Sequence, residues 1–239
     1  MPRPPRRVVV ASLALAGGAA CVPQAPDDQG RAIDSLYDFF TIAAAVVFVV
    51  TAGLIAWSIV RYRARRGDDS LPPQTRDNVR LEVVWFAIPQ LLVVALFVAS
   101  LNTLDTVNEQ VGEPDVVVRV QGFQWGWRFT YEGPGVTVSG DHSDPPEIVL
   151  PVDRDVAFTL TTRDVIHAFA LPDLLMKRDV IQGQDNRVDV TIRQPGIYAG
   201  KCAEFCGLLH ARMNFTVRAV APAEYERWLE EQGAEDGDG

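Results

Sequence analysis

The stretch KCAEFCGLLHARM, residues 201–213, places two cysteines, one histidine and one methionine within twelve residues. The whole chain has 239 residues but only three Cys, three His and three Met, so these residue types are concentrated in one short segment. Thiolate and thioether sulfurs beside an imidazole favour copper, whereas a structural zinc site normally takes four Cys or His ligands and no methionine. The stretch therefore predicts a copper site formed by Cys202, Cys206, His210 and Met213.

A second histidine, His167 in the segment DVIHAF, lies upstream and extends the candidate ligand set. The residues alone leave two alternatives open. The two cysteines could form a disulfide, as cysteines of extracytoplasmic proteins often do. A mononuclear copper site would use one cysteine, two histidines and a weak methionine and leave Cys202 without a metal, whereas a binuclear site would use both cysteines as bridges.

The chain around this stretch has the pattern of an all-β domain. Short runs rich in β-branched and aromatic residues are separated by Gly, Pro and Asp turns, namely VVVRVQ, WRFTYE, EIVLPV, VAFTLTT, RVDVTI and MNFTVRAV. This spacing predicts a cupredoxin-like Greek-key sandwich over residues 111–221, in which loops at one end supply ligands. The segment QPGIYAGKCAEFC predicts a turn and a strand that lead into the metal loop.

Within this domain, the segment QGFQWGWRFTY alternates aromatic residues with period two. Such alternation predicts a single strand whose aromatic side chains share one face, namely Phe123, Trp125, Trp127, Phe129 and Tyr131. On the residues alone, an aromatic core face explains this pattern.

Two apolar segments precede the β domain, and their central parts contain no charged residue. Each is long enough to cross the hydrocarbon core of a bilayer, so we expect transmembrane helices at 36–60 and 81–101. The connection 61–80 begins with RYRARR, and positive residues favour the cytoplasmic side. The sequence therefore predicts a cytoplasmic loop and an extracytoplasmic β domain.

Both ends of the chain have distinct compositions. Residues 1–20 have the layout of a secretory signal peptide, with three arginines before an apolar run that ends in small side chains. Cys21 follows directly and is a candidate for lipidation after cleavage. Residues 222–239 form an acidic C-terminal tail, in which low hydrophobicity predicts disorder beyond Leu229.

The motif CxExCGxxHxxM, together with DVxHxF upstream, closely resembles subunit II of the haem-copper cytochrome c oxidases, and the resemblance covers residues 36 to about 220. It implies a binuclear copper centre, CuA, in which both cysteines bridge two copper ions and His167 and His210 bind one ion each. Met213 and the backbone carbonyl of Glu204 would be weak copper ligands. The Glu204 carboxylate would bind a magnesium ion shared with the catalytic subunit I, since hard cations prefer oxygen ligands.

The resemblance also implies roles outside this ligand set. Trp125 is similar to the tryptophan through which electrons enter from cytochrome c, and Glu82 in LEVVWFAIP is similar to a glutamate at the mouth of a proton-uptake path in the partner subunit. The implied function is electron transfer from cytochrome c to subunit I, which reduces oxygen to water and pumps protons. The implied partners are subunits I and III, cytochrome c and the lipid of a bacterial plasma membrane, with no nucleic acid.

Charge and the remaining motifs bear on alternative functions. The net charge of −9 would attract a basic partner such as cytochrome c, although solvated β-domain surface explains many of the same acids. The chain contains no CxxCH, so no fused cytochrome c haem is expected. Three other functions stay open, namely a membrane-anchored single-copper carrier, a component of a nitrous oxide or nitric oxide reductase, and a tethered sandwich for copper delivery or adhesion.

Overall fold

The computed structural model describes residues 24–63, 74 and 76–236. The expected signal peptide, Cys21 and most of the expected cytoplasmic loop lie outside these residues. Two long helices come first, α1 (Asp28–Arg61) and α2 (Val79–Asn108), then a β domain, and then a C-terminal helix, α3 (Pro222–Asp236).

The β domain is a sandwich of two five-stranded sheets, with the orders β3-β2-β1-β5-β8 and β4-β10-β9-β6-β7. The predicted β-sandwich is thus confirmed, and each of the six runs named above overlaps a strand. The strands are β1 (Val116–Phe123), β2 (Gly126–Tyr131), β3 (Thr137–Asp141), β4 (Glu147–Pro151), β5 (Val156–Thr162), β6 (His167–Leu171), β7 (Met176–Val180), β8 (Asn186–Val190), β9 (Gly196–Cys202) and β10 (Asn214–Val220).

The aromatic segment is a hairpin, and the prediction of a single strand is wrong. Strand β1 ends at Phe123 and β2 begins at Gly126, so Gln124 and Trp125 form a two-residue turn. A Cβ at Gly126 would lie 2.3 Å from the carbonyl oxygen of Gly140, so the close approach of β3 requires glycine there. The alternation of aromatic residues continues across this turn and therefore conceals it.

The core between the sheets is aromatic and continues up to the metal loop. Trp127 and Phe129 of β2 are fully buried and pack against Phe169 of β6 and Phe215 of β10. The rings of Phe169 and Phe215 stack at a centroid distance of 4.8 Å. The Trp127 indole N–H donates to the carbonyl oxygen of Met213 at 3.4 Å, which ties the core to the loop that carries the candidate ligands.

Helices α1 and α2 have 34 and 30 residues. At 1.5 Å per residue they are about 51 and 45 Å long, more than the roughly 30 Å of hydrocarbon in a bilayer. Their most apolar windows have mean hydropathies of 2.5 and 2.3, and no residue of these windows is buried. Such surfaces need lipid or another protein as their environment.

Polar contacts join both helices to the sandwich. Arg193, which follows β8, pairs with Asp28 in the first turn of α1. Beyond the end of α2, the Val111 amide donates to Asp189 at 2.7 Å, and Arg187 donates to the Val111 carbonyl at 2.6 Å. Because these ends pack on the sandwich, α1 begins at Asp28 rather than at residue 36, and α2 continues beyond residue 101 to Asn108.

Helix α3 corrects the expectation of disorder beyond Leu229, because it extends to Asp236. The ring centroids of Tyr225 and Trp228 lie 6.4 and 5.2 Å from that of Tyr131. Burial of these rings on the sandwich stabilises a helix that also carries six acidic residues.

Asp27, at the junction of α1 and the sandwich, is almost completely buried. It caps α1 by accepting a hydrogen bond from the Gly30 amide at 2.9 Å, and its Oδ1 atom has no hydrogen-bond partner. Burial raises the pKa of Asp27 to about 6, and the bond from Gly30 only partly opposes this. The protonated form is therefore favoured in the folded junction relative to the unfolded chain.

We expect the junction to open more readily as pH rises. A carboxyl whose pKa is higher in the folded state stabilises that state fully below its unfolded pKa, and this contribution is lost as pH rises through 6. The protection of the 24–35 amides against hydrogen exchange, corrected for intrinsic rates, should fall by roughly tenfold or more between pH 4 and pH 7.5.

The matched variant is Asp27→Asn, which keeps an oxygen for the cap but has no ionisable group. In this variant the hydrogen-exchange protection of the 24–35 amides should not depend on pH in this range. The control is Asp185→Asn, a change at an exposed carboxylate, which should show the same pH dependence as the unmodified chain. Equal pH dependence with and without the Asp27 carboxyl would contradict this account.

Candidate metal centre

The β5–β6 connection, the β9–β10 loop and the β1–β2 turn meet at one end of the sandwich. The β5–β6 connection leads into His167 at the start of β6, and β9 ends at Cys202. The loop from Ala203 to Met213 then returns to β10 through a short 3₁₀ turn. The Ala203 amide donates to the Ala168 carbonyl at 3.0 Å, so the start of this loop is fastened beside His167. The fold thereby brings together side chains that are far apart in sequence.

Cys202 and Cys206 are both buried and unbonded, with their sulfur atoms 3.8 Å apart. A disulfide requires about 2.05 Å, so the structure has two thiols side by side. The ligand atoms of His167, Cys202 and Cys206 lie within 4.8 Å of one another. This compact, sulfur-rich cluster is the arrangement that a metal ion could occupy.

The donors fall into two similar halves. Around the sulfur of Cys202 lie His167 Nδ1 at 3.9 Å and the Glu204 carbonyl oxygen at 3.2 Å. Around the sulfur of Cys206 lie His210 Nδ1 at 3.6 Å and Met213 Sδ at 3.8 Å. Each cysteine thus has one imidazole and one weak donor beside it. Thiolate, imidazole and thioether donors together suit copper, so the residues present fit such a centre.

A carboxylate behind His167 sets the orientation of its ring. The Nε2 atom of His167 lies 2.8 Å from Asp164 Oδ1, which leaves Nδ1 directed at the sulfurs. Partial burial would raise the pKa of Asp164, but hydrogen bonds from His167, the Gln124 amide and the Thr162 hydroxyl outweigh it and lower the pKa. Asp164 is therefore ionised and can hold an imidazole N–H at Nε2.

The two thiols differ in acidity. Burial raises the pKa of Cys206, and a negative charge on Cys202 raises it further. Burial acts on Cys202 in the same direction, but hydrogen bonds with His167, the backbone of Ala168 and Glu204, and His210 together outweigh it and lower the Cys202 pKa. Without a cation Cys202 ionises first and opposes ionisation of Cys206, so two thiolates need a compensating positive charge.

The β1–β2 turn lies against the metal loop. The Trp125 indole N–H donates to the Cys206 carbonyl at 3.1 Å, and the Gln124 side-chain amide donates to the same oxygen at 2.8 Å. Trp125 is half-buried, so it connects the surface to a residue of the sulfur pair.

Two carboxylates with expected roles, those of Glu204 and Glu82, lie outside the sulfur cluster. The Glu204 carboxylate is half-exposed and pairs with Lys177 at 3.3 Å, so only its carbonyl faces Cys202. Glu82 lies in the first turn of α2, where its carboxylate accepts a hydrogen bond from the Asn78 amide at 3.4 Å. That contact is a helix cap and is compatible with a further role.

Sequence reasoning missed the supporting contacts of Asp164, Gln124 and Trp127. The charge pattern did not distinguish Asp164 from the other acids of the β domain, and the aromatic alternation placed Trp127 in the core. The position of Asp164 three residues before His167 was the available signal, because metal-bound histidines usually donate their other N–H to a carboxylate or carbonyl.

Comparison with known proteins gives consistent matches along the chain. Residues 19–103 match the family described as cytochrome c oxidase subunit II, transmembrane domain, and residues 137–220 match the periplasmic domain of that subunit. Proteins named probable cytochrome c oxidase subunit 2 from Streptomyces avermitilis and Streptomyces coelicolor are 31% and 32% identical. Each alignment covers 96% of this chain and 88% of the relative.

A solved structure also aligns with the β domain. It is the periplasmic domain of subunit II of cytochrome oxidase from Bradyrhizobium japonicum, which is 30% identical with a TM-score of 0.49. The alignment covers 53% of this chain and 99% of that domain.

Removal of the Asp164 carboxylate should weaken metal retention. We expect Asp164→Ala in the full chain to release bound copper to a chelator about tenfold faster or more, because the His167 ring loses its orienting partner. Asp164→Asn keeps an acceptor oxygen and should release copper at an intermediate rate. Asp144→Ala, which removes an exposed carboxylate at the same end of the sandwich, is the control. Equal release rates in all four proteins would show that Asp164 has no part in holding the centre.

Proposed function

Because the chain belongs to the cytochrome c oxidase subunit II family, we propose that it accepts electrons from cytochrome c at a binuclear copper centre and passes them to the haem-copper catalytic subunit. Membership makes it part of an oxidoreductase complex, with a copper-binding domain outside the membrane. In this proposal oxygen reduction and proton pumping take place in the catalytic subunit, subunit I, and subunit III completes the assembly. The host membrane is a bacterial plasma membrane.

The observation that carries the proposal is the division of donors between the two cysteines. One half has His167 and the Glu204 carbonyl beside Cys202, and the other has His210 and Met213 beside Cys206. A single copper ion would need only one cysteine and would leave the other half without a function. Held by these residues, a copper pair would supply a one-electron carrier whose charge is shared between two metal ions.

The residues around the sulfurs keep the donors still. His167 is fully buried and is fastened by Asp164, while Met213 is fully buried and its carbonyl accepts from Trp127. Side chains held by packing and hydrogen bonds on both sides move little when the charge of a bound metal changes. Little movement favours fast electron transfer, because few atoms have to rearrange.

Trp125 is the proposed point of electron entry. Its ring is half-buried at the end of the sandwich, and its indole N–H bonds directly to the carbonyl of Cys206. Strand β3 brings Asp141 next to Gly126, and Asp141 and Asp144 are both exposed at this end. These acids would attract a basic cytochrome c and raise its encounter rate.

Magnesium is proposed at the Glu204 carboxylate. That carboxylate is paired with Lys177, so magnesium would have to replace Lys177 as its partner. This chain would then supply one carboxylate ligand. The other ligands would have to come from the catalytic subunit, since magnesium prefers six oxygen ligands, several of them water.

Electron entry can be tested by mixing reduced cytochrome c with the copper-loaded full chain in a stopped-flow instrument. The unmodified chain should oxidise the cytochrome rapidly, and the rate should fall as salt screens the acidic surface. Trp125→Phe should slow the reaction far more than it changes copper content. Trp228 lies in helix α3, which follows the other end of β10, so Trp228→Phe should leave the rate unchanged. Failure of the unmodified, copper-loaded chain to oxidise cytochrome c would refute the proposal and favour copper delivery.

Glu82 is proposed as part of proton uptake by the assembled oxidase. The variant Glu82→Gln keeps an oxygen for the Asn78 amide and preserves the helix cap, so a change in activity would reflect the carboxyl group itself. We expect slower turnover and slower proton uptake with an unchanged copper spectrum. Turnover equal to that of the unmodified oxidase would count against this role.

A further inference from the structure

Gln124 makes two hydrogen bonds that lead to two different candidate ligands. Its side-chain Nε2 donates to the carbonyl oxygen of Cys206 at 2.8 Å, and its backbone amide donates to Asp164 Oδ2 at 2.7 Å. The other oxygen of Asp164 holds His167 Nε2 at 2.8 Å. One residue of the β1–β2 turn therefore connects the loop that carries Cys206 to the loop that carries His167.

The Cys206 carbonyl has both of its lone pairs in use. Gln124 Nε2 is one donor, and Trp125 Nε1, at 3.1 Å, is the other. A carbonyl oxygen has two lone pairs and can therefore accept two hydrogen bonds. Two donors from adjacent residues of one turn fix the direction of this carbonyl, and with it the peptide plane that follows the Cys206 thiol.

The next residue shows that the loop is built around this contact. Gly207 has a backbone φ of +118°, which residues with a Cβ rarely adopt. A Cβ at this position would also lie 3.1 Å from Gln124 Nε2 and 3.2 Å from Trp125 Nε1. The backbone conformation therefore favours glycine where the metal loop meets the turn, and a Cβ there would press on both hydrogen-bond donors.

Resting on the proposed copper function, we propose that Gln124 is a positioning residue of the metal centre. It holds the two ligand-bearing loops at a fixed distance from each other. The Cys206 half and the His167 half therefore keep their separation when metal binds or changes oxidation state. Gln124 is itself exposed and offers no atom to the sulfur cluster, so it acts through the Cys206 carbonyl and through Asp164.

The test uses two variants of the full chain in detergent. Gln124→Glu keeps the size of the side chain but removes the Nε2 donor. Gln124→Ala removes the donor and most of the side-chain volume, and both variants keep the backbone amide that bonds to Asp164. Both should release copper to a chelator about three- to tenfold faster, as expected for the loss of one hydrogen bond. Both should also alter the copper hyperfine splitting in the electron paramagnetic resonance spectrum. The Glu variant should have the lower reduction potential of the two, because its carboxylate favours the more positive oxidised centre.

The control is Gln182→Ala, since Gln182 is another exposed glutamine that donates to a backbone carbonyl, that of Arg163, at 3.3 Å. It should match the unmodified chain in release rate, spectrum and potential. Circular dichroism of each variant checks that the sandwich is intact.

Two results would overturn the inference. If the Glu variant equals the unmodified chain and only the Ala variant is affected, packing volume rather than the hydrogen bond matters. If neither variant differs, the turn does not position the centre. In both cases an unmodified chain that holds two copper ions leaves the proposed function standing, whereas an unmodified chain without a copper pair refutes that function and this inference together.

Discussion

Two buried thiols held 3.8 Å apart, close but unbonded, are the constraint on which the extracytoplasmic half of the molecule depends. Burial and mutual repulsion oppose a second negative charge there, so a pair of thiolates is stable only beside a cation. The surrounding structure serves to maintain that spacing. Strand β9 delivers Cys202, the loop to β10 delivers Cys206, and the Trp127 indole fastens the end of that loop to the aromatic core.

The second constraint is where this cluster lies relative to the membrane. Helices α1 and α2 exceed the thickness of the hydrocarbon core, and their ends are tied to the sandwich by Arg193, Arg187 and Asp189. In the proposed function, these contacts would hold the metal loop at one height above the bilayer. Electron transfer depends steeply on distance, so such a fixed height would matter for the proposed delivery of electrons to a catalytic subunit in the same membrane.

Much of this was predictable from the sequence. The spacing of Cys202, Cys206, His210 and Met213 allowed one metal loop to be predicted, and the charge-free segments allowed two membrane helices to be predicted. Long apolar runs and dense motifs carry strong local signals. The side chains named in that motif, and His167 far upstream, do converge on one end of the sandwich.

Features that depend on contacts between distant segments were harder to predict from the sequence. The turn at Gln124 and Trp125 was concealed because aromatic alternation continues across it, so a hairpin looked like one strand. Helix α3 looked disordered because its stability comes from packing of Tyr225 and Trp228 on the sandwich. Asp164 looked like one of many surface acids, since only the fold shows that it meets the imidazole of His167.

The central claim is that both cysteines serve one pair of copper ions. Its most direct test is the copper content of the full chain, purified in detergent and loaded with copper, together with its electron paramagnetic resonance spectrum. The account predicts two copper ions per chain and a hyperfine pattern from one unpaired electron shared equally between them. One copper ion per chain, with the spectrum of an isolated blue centre, would contradict it.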